Sequence, residues 1–338
     1  MRDGDILIIR GQEVDELLAG READIMRLVA GAYLEHGAGR SSLPHSTFLR
    51  FPDDERSRII ALPAYLGGDF GVAGVKWVSS FPENLGRGLE RASAVVVLNS
   101  PRTGRPEAFL EGSLISAKRT AASAALAARL LSRGQDVSNA GLVGTGPINF
   151  EVARFLLVAC PEVSRLLVYD IDPERAARFR KRCRELSDRI EVGVAADLPQ
   201  LLGEASLVSL ATNAVKPHIS DLSMCRPGST ILHVSLRDLT PEVILGCDNV
   251  VDDADHVCRA QTSVHLAEQL TGSREFIRCG IADILRGDAG PRRDDAGVTV
   301  FSPFGLGVLD LAVADFVRAE AAKSRRGLTV NSFLPTSA

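Results

Sequence analysis

Ala140-Gly141-Leu142-Val143-Gly144-Thr145-Gly146-Pro147-Ile148-Asn149 decides the fold: an apolar strand runs into Gly-x-Gly, and a helix-like segment, Phe150 to Cys160, follows at once. Glycine lets the backbone turn tightly and approach a pyrophosphate, whose charge then rests on free N–H groups at the helix start. The stretch reads as a dinucleotide site, with Gly144, Thr145, Gly146, Pro147 and Ile148 as its loop. The third small position is Asn149 instead of glycine, which predicts somewhat looser packing of helix on strand.

The next strand, Arg165 to Tyr169, ends in Asp170, at about the spacing where a carboxylate accepts hydrogen bonds from an adenosine ribose. Ile171 and Asp172 follow, with no cation to neutralise a 2′-phosphate, so NAD is expected over NADP. The competing reading is an ordinary βα turn with a surface Asp. Strand-like and helix-like segments alternate from Ala140 onward, as a parallel sheet covered on both faces requires. Strands are expected at 140–143, 165–170, 190–194, 205–211, 229–235 and 248–252, a complete Rossmann sheet. Thr212, Asn213, Ser235 and Asp310 complete the expected nucleotide-contacting set. Asp172-Pro173 and Thr240-Pro241 read as helix starts.

A chain of 338 residues, 45% of them apolar, has material for two cores. The net charge of −4 predicts neither a nucleic-acid-binding face nor a polybasic membrane patch. No apolar run approaches about 20 residues. Met1-Arg2-Asp3-Gly4-Asp5 leads into a strand-like Ile6 to Ile9 and not a signal sequence, so a cytoplasmic enzyme is expected. The six cysteines lack a C-x-x-C pair and the six histidines lack metal-ligand spacing, so no metal site is expected and the thiols read as core fillers. No Gly-x-Ser-x-Gly elbow or P-loop lysine motif supports a hydrolase or kinase.

Before residue 125 the pattern changes to one amphipathic helix from about Val14 to His36 and strands near 58–64, 72–79, 92–99 and 106–110. Pro101 to Pro106 reads as the turn of an antiparallel hairpin. Ser113 to Leu131 reads as a long alanine-rich helix leading to the nucleotide domain. Val298 to Phe301 reads as a strand and Val308 to Lys323 as a helix that packs back on the first domain. The tail from Arg325 is expected to be loosely held. The fold is therefore read as α/β: a Rossmann dinucleotide-binding domain, 126–304, plus a smaller α+β domain, 1–125 with 305–338.

Several residues outside the nucleotide loop are candidates for chemistry. Lys76 lies in Gly74-Val75-Lys76-Trp77-Val78, where a lysine either points to solvent or is buried for a purpose; burial would lower its pKa into an acid/base range. Arg119 sits on a helix of small residues, as a carboxylate clamp or as an exposed helix arginine. Arg50, Arg58 and Arg91 are further cationic candidates. Asp238 follows the strand Ile231 to Leu236, where it either handles a proton beside the nicotinamide or caps the helix near Pro241. His45 and His233 read as core histidines.

These segments resemble the ornithine cyclodeaminase and mu-crystallin family through Gly-Val-Lys-Trp-Val at 74–78, Ala-Val-Val-Val-Leu-Asn at 94–99, Leu-Ile-Ser-Ala-Lys-Arg-Thr-Ala-Ala at 114–122, the Gly144/Gly146 loop and Ser-Pro-Phe-Gly at 302–305. The resemblance implies that the first domain, completed by the C-terminal helix, binds substrate and forms a homodimer, and that the second holds NAD(H). Within the family, the segments 58–68, 77–84 and 89–93 resemble the branch that makes 2,3-diaminopropionate by oxidising N-(1-amino-1-carboxy-2-ethyl)-glutamate with NAD, the product serving a siderophore or a peptide antibiotic. Two departures count against cyclodeaminase: Ile60-Ala61 stands where those enzymes carry a catalytic glutamate, and Leu236 to Pro241 replaces their Gly-Gly-Asp-Cys-Pro-Gly. The implied roles are Lys76 as base toward amine or water, Asp238 as proton shuttle, and Arg50 and Arg119 as carboxylate clamps, with the cationic pocket facing the nicotinamide. The alternatives are a cyclodeaminase, an imine reductase or amino-acid dehydrogenase, and a non-catalytic NAD(P)H-binding protein like mu-crystallin.

Overall fold

A computed structural model describes residues 4–335. Residues 1–3 and 336–338, which belong to the expected N-terminal lead-in and C-terminal tail, lie outside the described residues. The chain divides into two compact units, Met1–Arg119 with Leu306–Ala338, and Thr120–Gly305. The division falls inside the helix Ser113–Leu131, between Arg119 and Thr120, where the sequence reading sets it at 125.

The first unit opens with β1 (Ile6–Ile9), α1 (Gly11–Leu18) and α2 (Glu22–Gly37). One helix was expected over Val14 to His36, but Gly20, at φ +68°, turns the chain between α1 and α2. That conformation suits glycine and ends the first helix. The strands β2 (Ser41–Ser42), β3 (Thr47–Phe51), β4 (Asp54–Leu66), β5 (Val72–Ser80), β6 (Ala92–Asn99) and β7 (Pro106–Glu111) follow, then α3 (Ser113–Leu131).

The sheet of this unit has eight strands, in the order C-terminal strand, β1, β7, β6, β5, β4, β2, with β3 also on β4. The C-terminal strand, Leu328–Val330, pairs antiparallel with β1, Ile6 opposite Val330. The tail from Arg325 is thus held where the sequence suggested a loose end. The missing signal is local, since a three-residue strand has no periodicity to read.

Alternation along β4 to β7 gives the sheet two different faces. Val96, Leu98, Ala108 and Leu110 point to the helical side and are buried, with the C-terminal helix, Gly307–Ser324, and α2 packed there. On the other face, Pro63, Tyr65, Val75, Trp77, Val95 and Phe109 form an apolar surface, and Tyr65, Trp77 and Phe109 remain 41, 44 and 38% exposed.

The second unit comprises β8 (Asn139–Val143), α4 (Pro147–Ala159), β9 (Arg165–Tyr169), α5 (Pro173–Arg184), β10 (Glu191–Val194), β11 (Leu207–Leu210), β12 (Thr230–His233), β13 (Asp248–Val251), β14 (Ile277–Gly280) and β15 (Thr299–Ser302), with short helices between. Eight parallel strands run in the order β10-β9-β8-β11-β12-β15-β13-β14. Six were expected for this sheet. β15 inserts between β12 and β13, and β14, whose residues are only half-buried, extends the edge. The strand order reverses between β8 and β11, the switch point at whose carboxyl edge such sheets bind ligands.

Candidate active site

The loop after β8 turns at one position that only glycine tolerates. Gly144 lies at φ +88°, and a Cβ there would come within 2.6 Å of the Ala211 carbonyl in the loop after β11. Gly146, the N-cap of α4, provides no side-chain cap, and a Cβ placed on it would meet nothing within 4 Å. Pro147 takes the first helical position and Phe150 N–H donates to the Gly146 carbonyl at 3.2 Å, so the N–H groups of Ile148 and Asn149 precede the first intrahelical bond at a positive helix end. A dinucleotide pyrophosphate fits this cradle.

Asn149 is fully buried and departs from the looser packing expected of it. Its Nδ2 donates to the carbonyls of Val143 (2.8 Å) and Gly144 (2.7 Å), while Oδ1 accepts from Ser209 Oγ at 2.7 Å. The amide therefore stitches α4 to β8 and β11 where a glycine would only allow contact.

Asp170, at the end of β9, accepts from Thr145 N–H at 3.0 Å and Thr145 Oγ1 at 2.5 Å through one oxygen, and from Asp172 N–H at 3.0 Å through the other. It holds the glycine loop in place and sets a carboxylate at the end of β9, where the ribose is expected. Arg175, one turn into α5, brings Nε within 3.9 Å of it, a cation that reading only positions 171 and 172 misses.

At the carboxyl ends of β11, β12 and β15 lies a second set. Asp238, fully buried, accepts from the hydroxyls of Thr212 and Ser235, one on each oxygen, and its N–H donates to His233 Nε2 at 3.2 Å. His233 Nδ1 faces Ser302 Oγ at 3.4 Å. Burial alone would raise the Asp238 carboxyl, but the contacts with His233, Ser235 and Thr212 outweigh it and hold the group below the ordinary carboxylate range. Asp238 is not a helix cap, because Thr240 Oγ1 accepts from Val243 N–H and fills that place. Each carboxylate oxygen accepts one hydroxyl, which fixes Thr212 and Ser235. Leu236, at φ +67°, shows that the intervening turn is backbone-strained. Asn213 is exposed in the loop after β11.

In the first unit, Lys76 on β5 is buried. Its Nζ donates to Asp310 Oδ2 at 2.7 Å and to Ser116 Oγ at 3.1 Å. Arg119 on α3 donates through Nε to the other Asp310 oxygen at 3.0 Å and through Nη2 to Ser116 Oγ at 3.3 Å. Two cations thus share one fully buried carboxylate and one hydroxyl. Burial, reinforced by the Arg119 charge and opposed by Asp310, lowers the Lys76 ammonium from its ordinary 10.5 to about 8. Asp310, expected among the nucleotide contacts, instead neutralises this pair from the first turn of the C-terminal helix.

The other arginines gather around Ser80 at one end of the sheet. Arg50 on β3 pairs with Arg58 on β4, and Arg58 with Ser80 on β5. Arg91, just before β6, donates through Nη1 to Ser80 Oγ at 2.9 Å. Arg50 is exposed and lies over the Phe48 ring at 5.5 Å; Arg58 and Arg91 are half-buried.

The Ornithine cyclodeaminase/mu-crystallin family matches residues 8–325. The chain belongs to that family. It is 30% identical over 279 residues to N-((2S)-2-amino-2-carboxyethyl)-L-glutamate dehydrogenase of Staphylococcus aureus, covering 82% of each chain. Alanine dehydrogenase of Archaeoglobus fulgidus is 28% identical, with 97% of this chain and 99% of that one covered. Among solved structures, Thermococcus litoralis Δ1-pyrroline-2-carboxylate reductase in complex with NADH and L-proline superposes with a TM-score of 0.86 at 27% identity, covering 96% of this chain and all of that one.

Two of the family's sequence signatures have structural explanations here. Ser-Pro-Phe-Gly at 302–305 wraps the buried Asp252, whose oxygens accept the N–H groups of Phe304 and Gly305 at 2.8 Å each, and Gly305 sits at φ +91°. In Arg-Thr-Ala-Ala at 119–122, the arginine reaches Asp310 while the alanines are fully buried. Ser116 was overlooked as a site residue, although its i,i+3 spacing from Arg119 places both on one helix face. His233, which the sequence presents as a core histidine, lies at 0% exposure beside Asp238.

Proposed function

We propose that this member of the ornithine cyclodeaminase/mu-crystallin family, an oxidoreductase acting on a carbon–nitrogen bond with NAD as cofactor, cleaves N-(1-amino-1-carboxy-2-ethyl)-glutamate. Substrate, NAD⁺ and water give 2,3-diaminopropionate, 2-oxoglutarate, NADH and a proton. The observation that carries the reading is the buried Lys76, Asp310 and Arg119 cluster with arginines around Ser80, four residues further along β5, an electrostatic match for an amine bearing three carboxylates, in a chain similar to a dehydrogenase named for that substrate. Bound NAD supplies the acceptor for hydride from the glutamyl Cα.

The chain's own residues account for the rest. Lys76, with its ammonium lowered to about 8, exchanges a proton with the substrate amine or the attacking water at moderately alkaline pH. Asp310 keeps Lys76 and Arg119 in fixed positions. Arg119 and Arg50 clamp carboxylates, and Arg119 retains Nη1 for that purpose. Asp238 orders Thr212 and Ser235 at the strand ends. Gly144, Gly146 and the N–H groups of α4 cradle the pyrophosphate, and Asp170 holds the adenosine ribose.

The apolar outer face of the first unit's sheet supports a homodimer, in which a second copy removes Tyr65, Trp77 and Phe109 from water. The six free cysteines fit the cytoplasm, where thiols stay reduced. Among the described residues, no helix is long and apolar enough to cross a membrane. The diamino acid product suits a siderophore or a peptide antibiotic.

Mass spectrometry of the protein incubated with the glutamate conjugate and NAD tests the reaction, with 2,3-diaminopropionate and 2-oxoglutarate expected in equal amounts. NADH formation from alanine, or proline and ammonia from ornithine without net NADH, would replace this reading with another activity of the family. Tight NADH binding with no turnover of any amino acid would make the chain a binding protein.

A further inference from the structure

Lys76 and Ser80 lie four residues apart on β5, in a stretch paired with β4 without interruption from Arg58–Ser80 to Leu66–Val72. Side chains alternate along a strand, so both face the helical side of the sheet, as do Arg58 opposite Ser80 and Leu62 opposite Lys76. The row between them is Ile60 and Val78, both half-buried. Moving along the sheet from Lys76, one crosses an aliphatic row and arrives at a cationic one, roughly 13 Å away at the backbone. The long side chains at both ends shorten that gap.

Arg91 is the unusual member of the cationic row. It is half-buried, burial pulls its guanidinium down from the ordinary value, and its hydrogen-bond partner is the neutral hydroxyl of Ser80. Among the described residues no carboxylate forms an ion pair with it. The arginines at 40, 56, 165, 274, 278, 286 and 318, by contrast, each meet an Asp or Glu. A partly desolvated guanidinium without a counter-charge costs stability, and a bidentate anion offsets that cost.

We infer that Arg91, held by Ser80 and flanked by Arg58, forms a distal-carboxylate subsite that takes the γ-carboxylate of the glutamyl half while its methylenes lie over Ile60 and Val78. This deepens the reaction proposed above and rests on it for the identity of the ligand. The subsite makes the chain selective for dicarboxylic 2-oxo acids over aliphatic ones of the same length. Arg50, exposed and laid on Phe48, is a lesser contributor.

The test compares 2-oxoglutarate with 2-oxopentanoate, the same chain without the distal carboxylate, titrated into the full-length protein saturated with NADH. Wild type should prefer 2-oxoglutarate by about 10- to 100-fold, the range for charge-assisted hydrogen bonds. Arg91→Gln should erase the preference while leaving 2-oxopentanoate and NADH affinities unchanged, which also reports that the variant is folded. Arg91→Lys, which keeps the charge without the fork, should retain part of it. An undiminished preference in Arg91→Gln, an equal loss for both acids, or no preference in wild type would overturn the subsite. Turnover of the conjugate is scored separately: a preference without turnover removes the reaction and leaves the subsite, and turnover without a preference does the reverse.

Discussion

The nucleotide loop and the lysine cluster reach pre-organisation by opposite routes. The loop is local: Gly144, Thr145, Gly146 and Asn149 lie within six consecutive residues, and their distant side-chain partners, Asp170 and Ser209, stand on or at the end of the two adjacent strands. The lysine cluster joins β5, α3 and the C-terminal helix, with Lys76 and Asp310 separated by 234 positions in sequence. A turn built on backbone geometry needs only small residues in order. A buried charge pair needs the whole unit to close around it before its desolvation is repaid.

The largest expected effect strikes the distant cluster. Lys76→Met should lower kcat by about 100- to 10,000-fold, the range for loss of a general acid–base group, while NADH affinity measured by fluorescence stays near wild type. Retained turnover would remove the lysine from the mechanism and erase the functional half of the contrast.

Asp310→Ala leaves Lys76 and Arg119 buried without their shared counter-charge. Breaking such a pair costs about 3–5 kcal/mol, so urea unfolding of the first unit should shift to markedly lower concentration. Losing less than about 1 kcal/mol would show that water already compensates the pair.

The pH dependence sharpens the same contrast. Lys76 acts as a base only when neutral, so kcat/KM should rise with pH and level off above about 8. Its folded value lies below its ordinary 10.5, so between those values the unfolded chain binds the extra proton. The lysine's contribution to stability is therefore fully present above 10.5 and declines as pH falls toward 8, and comparison of wild type with Lys76→Met across that window should show it. A pH-independent difference would contradict a lowered lysine.

In the local site, Asn149→Gly restores the usual third glycine yet removes bonds to Val143, Gly144 and Ser209. Thermal unfolding should show a loss of about 1–3 kcal/mol, with weaker NAD binding as a consequence. A stabilised variant would mean that the glycine fingerprint alone suffices. The smallest effect is expected from Asp170→Asn, which keeps the shape but not the charge. The KM for NAD should rise severalfold and the preference over NADP should narrow, with kcat little changed; an unaltered preference would assign cofactor choice elsewhere.

Legibility in the sequence followed the same division. The helix Ser113–Leu131 was read with its observed ends, and β6 at 92–99 likewise, because apolar periodicity runs through both. The turn at Gly20 and the edge strands β3, β14 and Leu328–Val330 were missed: each is five residues or fewer, or is interrupted by charge. Among the candidate residues, Gly144 turns the chain, Gly146 caps α4 and Asp170 ends the adjacent strand, a local geometry that spacing alone predicts. The role of Asp310 is not legible this way, since an acidic residue in the first turn of a helix ordinarily serves the helix end and nothing nearby announces two cations.

What the amino-acid order determined by itself was the nucleotide half: alternating strand and helix periods, and a glycine turn whose backbone demands are met by neighbours in sequence. Only tertiary structure decided that Lys76 is buried, that Asp310 neutralises it, and that Arg91 reaches Ser80 on the register shared by Arg50 and Arg58. The physical reason is range. Backbone conformation is set within a few residues, whereas the charge and solvation of a side chain depend on whichever distant elements remove it from water.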